Sequence, residues 1–279
     1  MKTKISIMLL LLSVSISAQE FYGKATYKTH RKTNFKMDST MVASNPDLEK
    51  QLQAQMRKMF QKTFILNFNK TESTYKEDAK LNAPSPKLGG GGNVMVQVVG
   101  GGGGNDVIYK NINENRVVSK TELMGKVFLV KDELVKYEWK LTGETKNIGK
   151  YTCYKATYER EVENIEMKMV NGEAKEVTKK EMRTTVAWYT TDVPLSNGPD
   201  NYGGLPGLIL EINDGNQTIV CTEIVLKPSD KAEIKEPKKG QVVNREKFEK
   251  ISRKKSREMM ERFKSRRGNG NNMEIRIGG

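Results

Sequence analysis

The sequence predicts a mainly β protein of the α+β class. We expect a curved antiparallel sheet or half-barrel wrapped around one helix near the N-terminus, with a second, basic helix at the C-terminus. Three observations predict it. Between Asn105 and Leu226, short runs rich in Val, Ile, Thr and Tyr follow one another across short turns. Asn171-Gly172 and Asp214-Gly215 lie between such runs and are type I′ hairpin signals, so successive strands pair antiparallel. One stretch of about 16 residues, from Asn45 to Phe60, carries its apolar residues at spacings of three and four. Nine or more strands in one domain usually curl, and the helix is then available to fill the concave face. A complete β-sandwich is the alternative.

The elements follow in chain order. Residues 1–18 have two lysines (Lys2, Lys4), an apolar run from Ile5 to Ile16, and the small residues Ser17 and Ala18, the pattern of a secretory signal cleaved after Ala18. The run is too short for a bilayer, which needs roughly 20 apolar residues. Phe21 to Thr33 reads as a first strand. Asn45-Pro46-Asp47 starts the helix as N-cap, proline at the first helical position and acid in the first turn, and Leu48, Leu52, Met56, Met59 and Phe60 give it one apolar face. FILNF (64–68) and Ser73–Tyr75 return to strand composition. A glycine-rich loop spans 87–105, its runs Gly89–Gly92 and Gly100–Gly104 flanking NVMVQVV. It lacks the lysine and hydroxyl at fixed spacing that a phosphate-cradling loop needs.

The β-rich domain, 19–226, then continues through VIYKNI, VVSKTELM, KVFLV, LVKYEWKL, YTCYKATYE, NIEMKMV, TTVAWYTT, LILEI and TIVCTEIVL. Cys153 and Cys221 lie on two of these segments. In an exported protein a disulfide and two buried free thiols are both open, and pairing requires neighbouring strands. Residues 227–279 form a basic tail in which 17 Lys and Arg face 8 Asp and Glu, so most of the formal net charge of +14 sits there. Asn244 is a plausible N-cap for a helix over about 244–267, with Phe248, Ile251, Met259 and Phe263 on one side. Arg253, Lys254, Arg257, Arg266 and Arg267 are the candidate contacts to an anionic surface, either phospholipid or lipopolysaccharide. An exported chain rarely meets nucleic acid, so that reading is set aside.

Composition narrows the function classes. Hydrophobic residues make up 36% of 279 residues, with two cysteines and one histidine. That excludes a polytopic membrane protein, a disulfide-dense mini-domain and a His-rich metal centre. His30 stands in a basic stretch with no adjacent acid, and no HExxH, GxSxG or CxxC occurs, so we name no catalytic residue, metal or cofactor. Asp192 and Asp200 are the acid pair a carboxylate-dependent hydrolase would use.

Residues 204–209 spell GLPGLI, preceded by Trp188-Tyr189-Thr190-Thr191-Asp192 and by Asn197-Gly198-Pro199. With Trp139 and the IGKYTCYKAT run upstream, the chain resembles the GLPGLI family of exported proteins from Gram-negative bacteria over about Trp139 to Ile224. The family has no established activity, so the resemblance implies location and shape rather than chemistry. It implies a periplasmic or envelope protein with a binding or accessory role towards lipid, peptide or an outer-membrane protein, or else a structural envelope role. The strand-rich pattern is also similar to the half-barrel lipoprotein carriers of the periplasm. Read physically, Pro199, Gly204, Leu205, Pro206, Gly207, Leu208 and Ile209 build a tight corner: proline sets φ, glycine permits close approach, and the leucines bury on either side of Pro206. The competing reading is a ligand-contacting loop with Trp188, Tyr189 and Tyr202 as its aromatics.

Overall fold

A computed structural model describes residues 21–31, 61–78, 106–170, 173–230 and 232–266. The expected signal segment, the helix from Asn45, the glycine-rich loop and Arg267 lie outside the described residues. Twelve strands form a single sheet: β1 (Tyr22–Arg31), β2 (Lys62–Asn69), β3 (Glu72–Glu77), β4 (Val107–Asn111), β5 (Arg116–Leu123), β6 (Lys126–Glu133), β7 (Lys140–Ile148), β8 (Tyr151–Val170), β9 (Glu173–Thr190), β10 (Leu208–Asn213), β11 (Gln217–Leu226) and β12 (Gln241–Val243). A helix, α1 (Arg245–Arg266), follows. The spatial order is β12-β6-β5-β4-β3-β2-β1-β11-β10-β9-β8-β7. The sheet is open, with β12 and β7 as its edges, and the protein is mainly β.

Hairpins account for most of this order. Asp214 Oδ1 accepts from the amides of Asn216 and Gln217, and Gly215 has φ of +90°, so the Asp-Gly pair turns β10 into β11. Asn171-Gly172 lies outside the described residues, but the strands flanking it pair, Val170 opposite Glu173. YTCYKATYE and NIEMKMV are one 20-residue strand rather than two. Beyond Thr157 and before Val186, β8 and β9 have only each other as ladder partners among the described residues, so they leave the sheet as a two-stranded ribbon.

Two expectations are corrected. LVKYEWKL alternates like a strand, yet 134–139 is irregular, and the strand is instead Lys140–Ile148. The reason is topological. β6 lies near one edge of the sheet and β7 forms the other, so their connection must cross the sheet and cannot pair within it. Antiparallel pairing also has one exception: β12 runs parallel to β6 because 227–240 carries the chain from β11 back to that edge.

The main core lies where β1, β2, β8, β9, β10 and β11 pack Ala25, Tyr27, Leu66, Phe68, Cys153, Ala156, Ala187, Tyr189, Ile212 and Ile219 together with the 191–207 loop. Val193, Leu195 and Leu205 of that loop are buried among them. Among the described residues, the 191–207 loop thus packs directly on the main core. A smaller cluster docks α1, whose Phe248 and Ile251 cover Phe128 and Val130 of β6 beside Val243. Asn244 caps the helix, its Oδ1 accepting the Lys247 amide at 3.0 Å.

Candidate functional site

The 191–207 corner is held by a dense set of bonds rather than by one turn. Its backbone closes through Leu195 N to Val193 O, Asn197 N to Leu195 O, Tyr202 N to Pro199 O and Gly207 N to Leu205 O. Asn197 is the hinge of the arrangement. Its Nδ2 donates to Ser73 Oγ on β3 at 2.8 Å, its Oδ1 accepts the Gly198 amide, and its carbonyl accepts the Ile209 amide at 3.0 Å. Ile209 sits at a bulge where β10 slips register against β9. The bulge leaves its carbonyl outside the ladder, and Tyr27 Oη donates to it at 2.7 Å from β1. Leu205, Leu208 and Ile209 are buried, while Pro206 is exposed.

Two glycines are needed for different reasons. Gly204 has φ of +85°. Gly207 has no such strain, but a Cβ there would stand 2.0 Å from Thr190 O, so only glycine allows β9 and the corner to approach. Pro199 is buried, and its carbonyl accepts from Tyr202.

The aromatic residues named from sequence do not meet. Tyr189 is in the core beside Tyr154, ring centroids 5.9 Å apart. Its neighbour Trp188 lies under Lys146 Nζ, 4.4 Å from the ring centroid, where Lys146 also pairs with Glu211. Successive residues of a strand point to opposite faces, which separates these two. Tyr202 belongs to another group: it stacks on Tyr137 at 5.4 Å, Tyr137 stacks on Trp139 at 5.2 Å, and Tyr158 meets both edge-on. Trp139 Nε1 donates to Gly203 O at 2.9 Å. The connection that failed to become a strand thus supplies the rings that face the corner.

Sequence reasoning missed Lys110. It lies on β4, only 3% exposed, and its Nζ donates to the carbonyls of Gly198 (2.8 Å) and Tyr202 (3.0 Å). Burial lowers its pKa to about 7, opposed by the charge of Asp200. A signal existed: in VIYKNI, Ile108 and Ile112 stand two residues on either side of Lys110, and both pack on the core, so a period of two carries the lysine inward. Asp200 takes φ of +51° in the loop. Burial raises its carboxyl pKa, with Lys110 and the Asn201 amide acting against that. Asp192 is exposed after β9 and is not among the charges acting on Asp200, so the sequence-suggested acid pair is not assembled.

Cys153 and Cys221 are free, buried thiols on β8 and β11, with β9 and β10 between those strands. The neighbouring-strand condition for a disulfide is not met. Burial pushes their pKa values up, to about 11 and about 12, as expected of unreactive thiols. His30 is exposed on β1. On α1, Lys247, Lys250, Arg253, Lys254 and Arg257 are exposed, opposite the face that docks; the side chain of Arg266 is not described.

Between the corner and residues 134–137 lies a cleft of about 280 Å³, lined by Lys110, Lys136, Asn115, Asn201, Tyr137 and Tyr202 with neighbouring backbone. A second, of about 320 Å³, lies between Phe68 and Ile234. No group of His, Cys, Asp and Glu among the described residues is placed to hold a metal ion. No helix among them is long and apolar enough to cross a membrane.

These features define a class: an open-sheet β protein with a tightly bonded corner across one face. Comparison with known proteins adds no activity to that description. The family model described as "Protein of unknown function (Porph_ging)" matches residues 139–211, a span running from Trp139 through the corner into β10. No curated protein matches the chain. Two solved structures are similar to it, described as PNGF-II in a C2 and in a P21 space group. They show 18% and 17% identity and TM-scores of 0.46 and 0.44, over 84% and 80% of this chain. The chain spans about a third of the length of those solved chains, 32% in both cases.

Proposed function

We propose that the chain is an exported envelope protein of the GLPGLI type with a non-enzymatic binding role, docking through α1 on an anionic phospholipid or lipopolysaccharide surface. One observation carries this reading. The helix is held on the sheet through Phe248 and Ile251, with rings of Phe128 and Phe248 5.4 Å apart, so its opposite face is committed to solvent. That face carries Lys247, Lys250, Arg253, Lys254 and Arg257 against Glu246 and Glu249. Both acids lie in the first turns, where they favour the helix N-terminus. Each basic side chain near an anionic surface is worth about 1 kcal/mol. The corner fits a supporting role, since Asn197, Trp139 and Lys110 use their polar groups to hold it. We further read the sheet as a trough curled around the corner, because β3 and β4 reach a loop that leaves β9 five and six strands away.

Vesicle flotation tests this. The protein is expected to bind vesicles of phosphatidylglycerol, not of phosphatidylcholine, and to be released by added salt. Arg253→Glu with Lys254→Glu should remove binding without changing the melting temperature. Equal binding to both vesicle types would end the proposal. Envelope material should begin at Gln19, and an intact Met1 in soluble cytoplasm would end the export reading.

A further inference from the structure

We propose that the cleft between the corner and residues 134–137 is a binding site for a small carboxylate, held by Lys110 and Lys136. The site is built from side chains outside α1, so it stands apart from the surface-docking role. Its two charged lining groups are both lysines, and neither Asp nor Glu lines it. Its volume of about 280 Å³ lies just below the range for drug-sized ligands, so the ligand is small.

Lys110 is the decisive group. An ammonium has three N–H donors. Two of them go to Gly198 O and Tyr202 O, and no third acceptor among the described residues is within hydrogen-bond reach. Asp200 acts on it through space, but its Oδ1 accepts from Asn201 Nδ2 at 2.9 Å and it does not line the cleft. A buried ammonium with a spare donor and no bonded counter-ion is costly. A carboxylate in the cleft supplies both the acceptor and the counter-charge. Lys136, exposed at the rim, adds a second cation. Tyr137 and Tyr202 stack at an interplanar angle of 27° and both line the cleft, which suits a flat apolar body. Asn115 and Asn201 offer amides beside them. The ligand class is therefore a compact carboxylate with a planar or apolar body, either a free small acid or the C-terminus of a peptide.

Calorimetry on the full chain separates these sources. The probes are benzoate and phenylacetate, with benzamide as the neutral control, and Gly-Gly-Phe with its C-terminal amide. Saturable binding of the free acids alone supports a small-acid site; binding of Gly-Gly-Phe, and not of its amide, supports a chain terminus. Lys136→Met leaves the fold intact because the side chain is at the surface, and it should weaken binding about threefold, the ordinary worth of an exposed charge pair. Lys110→Met should abolish binding; should it fail to fold, Lys136→Met still decides. The proposal is overturned if no carboxylate probe binds, if benzamide binds as well as benzoate, or if Lys136→Met binds as the parent does.

Discussion

Gly207→Ala adds one methyl group and should be among the most damaging single substitutions in the protein. The new Cβ would stand 2.0 Å from the carbonyl oxygen of Thr190 and 2.7 Å from its carbon, against the 3.4 Å at which ordinary contact begins. Neither side can yield locally. Thr190 is fully buried and lies opposite Leu208 in the β9–β10 ladder, and the Gly207 amide is bonded to Leu205 O at 2.8 Å. Overpacking a core by a methylene costs about 1–3 kcal/mol. Here backbone meets backbone, and separating the pair also weakens the Thr190–Leu208 pairing, about another 1 kcal/mol. We expect about 2–4 kcal/mol in all. Gly215→Ala is the control: its φ is +90° but nothing lies within 4 Å of the added Cβ, so it should cost only the strain of the left-handed conformation, about 1–2 kcal/mol. At roughly 2–4 °C per kcal/mol for a chain of this size, the melting temperature should fall by about 10 °C for the first and about 4 °C for the second. Thermal and urea unfolding read both. If Gly207→Ala costs no more than Gly215→Ala, the close approach is not what glycine serves at this corner.

The remaining predictions concern the groups around it. Because burial lowers the Lys110 pKa to about 7 and the unfolded lysine titrates near 10.4, the unfolded chain binds the extra proton between these values, so stability should rise with pH from 7 upward. The gain is capped at about 5 kcal/mol, and the difference in urea midpoint between the parent and Lys110→Met, followed from pH 6.5 to 9, should show it; parallel curves would exclude a buried lysine. Trp139→Phe keeps the ring stack but removes the bond to Gly203 O, and should cost about 1 kcal/mol in urea unfolding. Phe248→Ala should cost about 2 kcal/mol by uncovering Phe128, and a chain ending at Gly240 should lose more, since it also lacks the buried Val243 of β12. An unchanged melting temperature for that truncation would mean the tail is a separate unit.

Much was legible in the sequence because it depends on neighbours in the chain. Runs rich in β-branched and aromatic residues located β1, β2, β4 and β5 to within a residue or two, and the start of β6, which runs three residues beyond KVFLV. Asp214-Gly215 specified its hairpin, though through the positive φ of Gly215 and the two amides held by the Asp214 carboxylate rather than the two positive φ values of a type I′ turn. Asn244, followed by Phe248 and Ile251 at a spacing of three, placed the start of α1 and the face by which it docks. At the corner, the proline, glycines and leucines of 199–209 announced a bend with buried flanks, and the close contact at Gly207 is the form it takes.

Tertiary structure decided what no local pattern encodes. Which strand lies beside which is non-local: β1 sits between β2 and β11, and β12 returns parallel to β6, because distant segments compete for the same ladder groups. The segment 134–139 alternates as a strand does, yet it becomes the crossing that brings Tyr137 and Trp139 to the corner, since its two ends belong to opposite sides of the sheet. Trp188, Tyr189 and Tyr202 look like one aromatic group in sequence, and the two faces of β9 and the course of the loop divide them. The period of two in VIYKNI turns Lys110 inward, but the two carbonyls that close over it belong to a loop some 90 residues away, at separations of 88 and 92. A side chain's burial depends on what the rest of the chain places above it, and for that lysine the cover comes from the far side of the sheet.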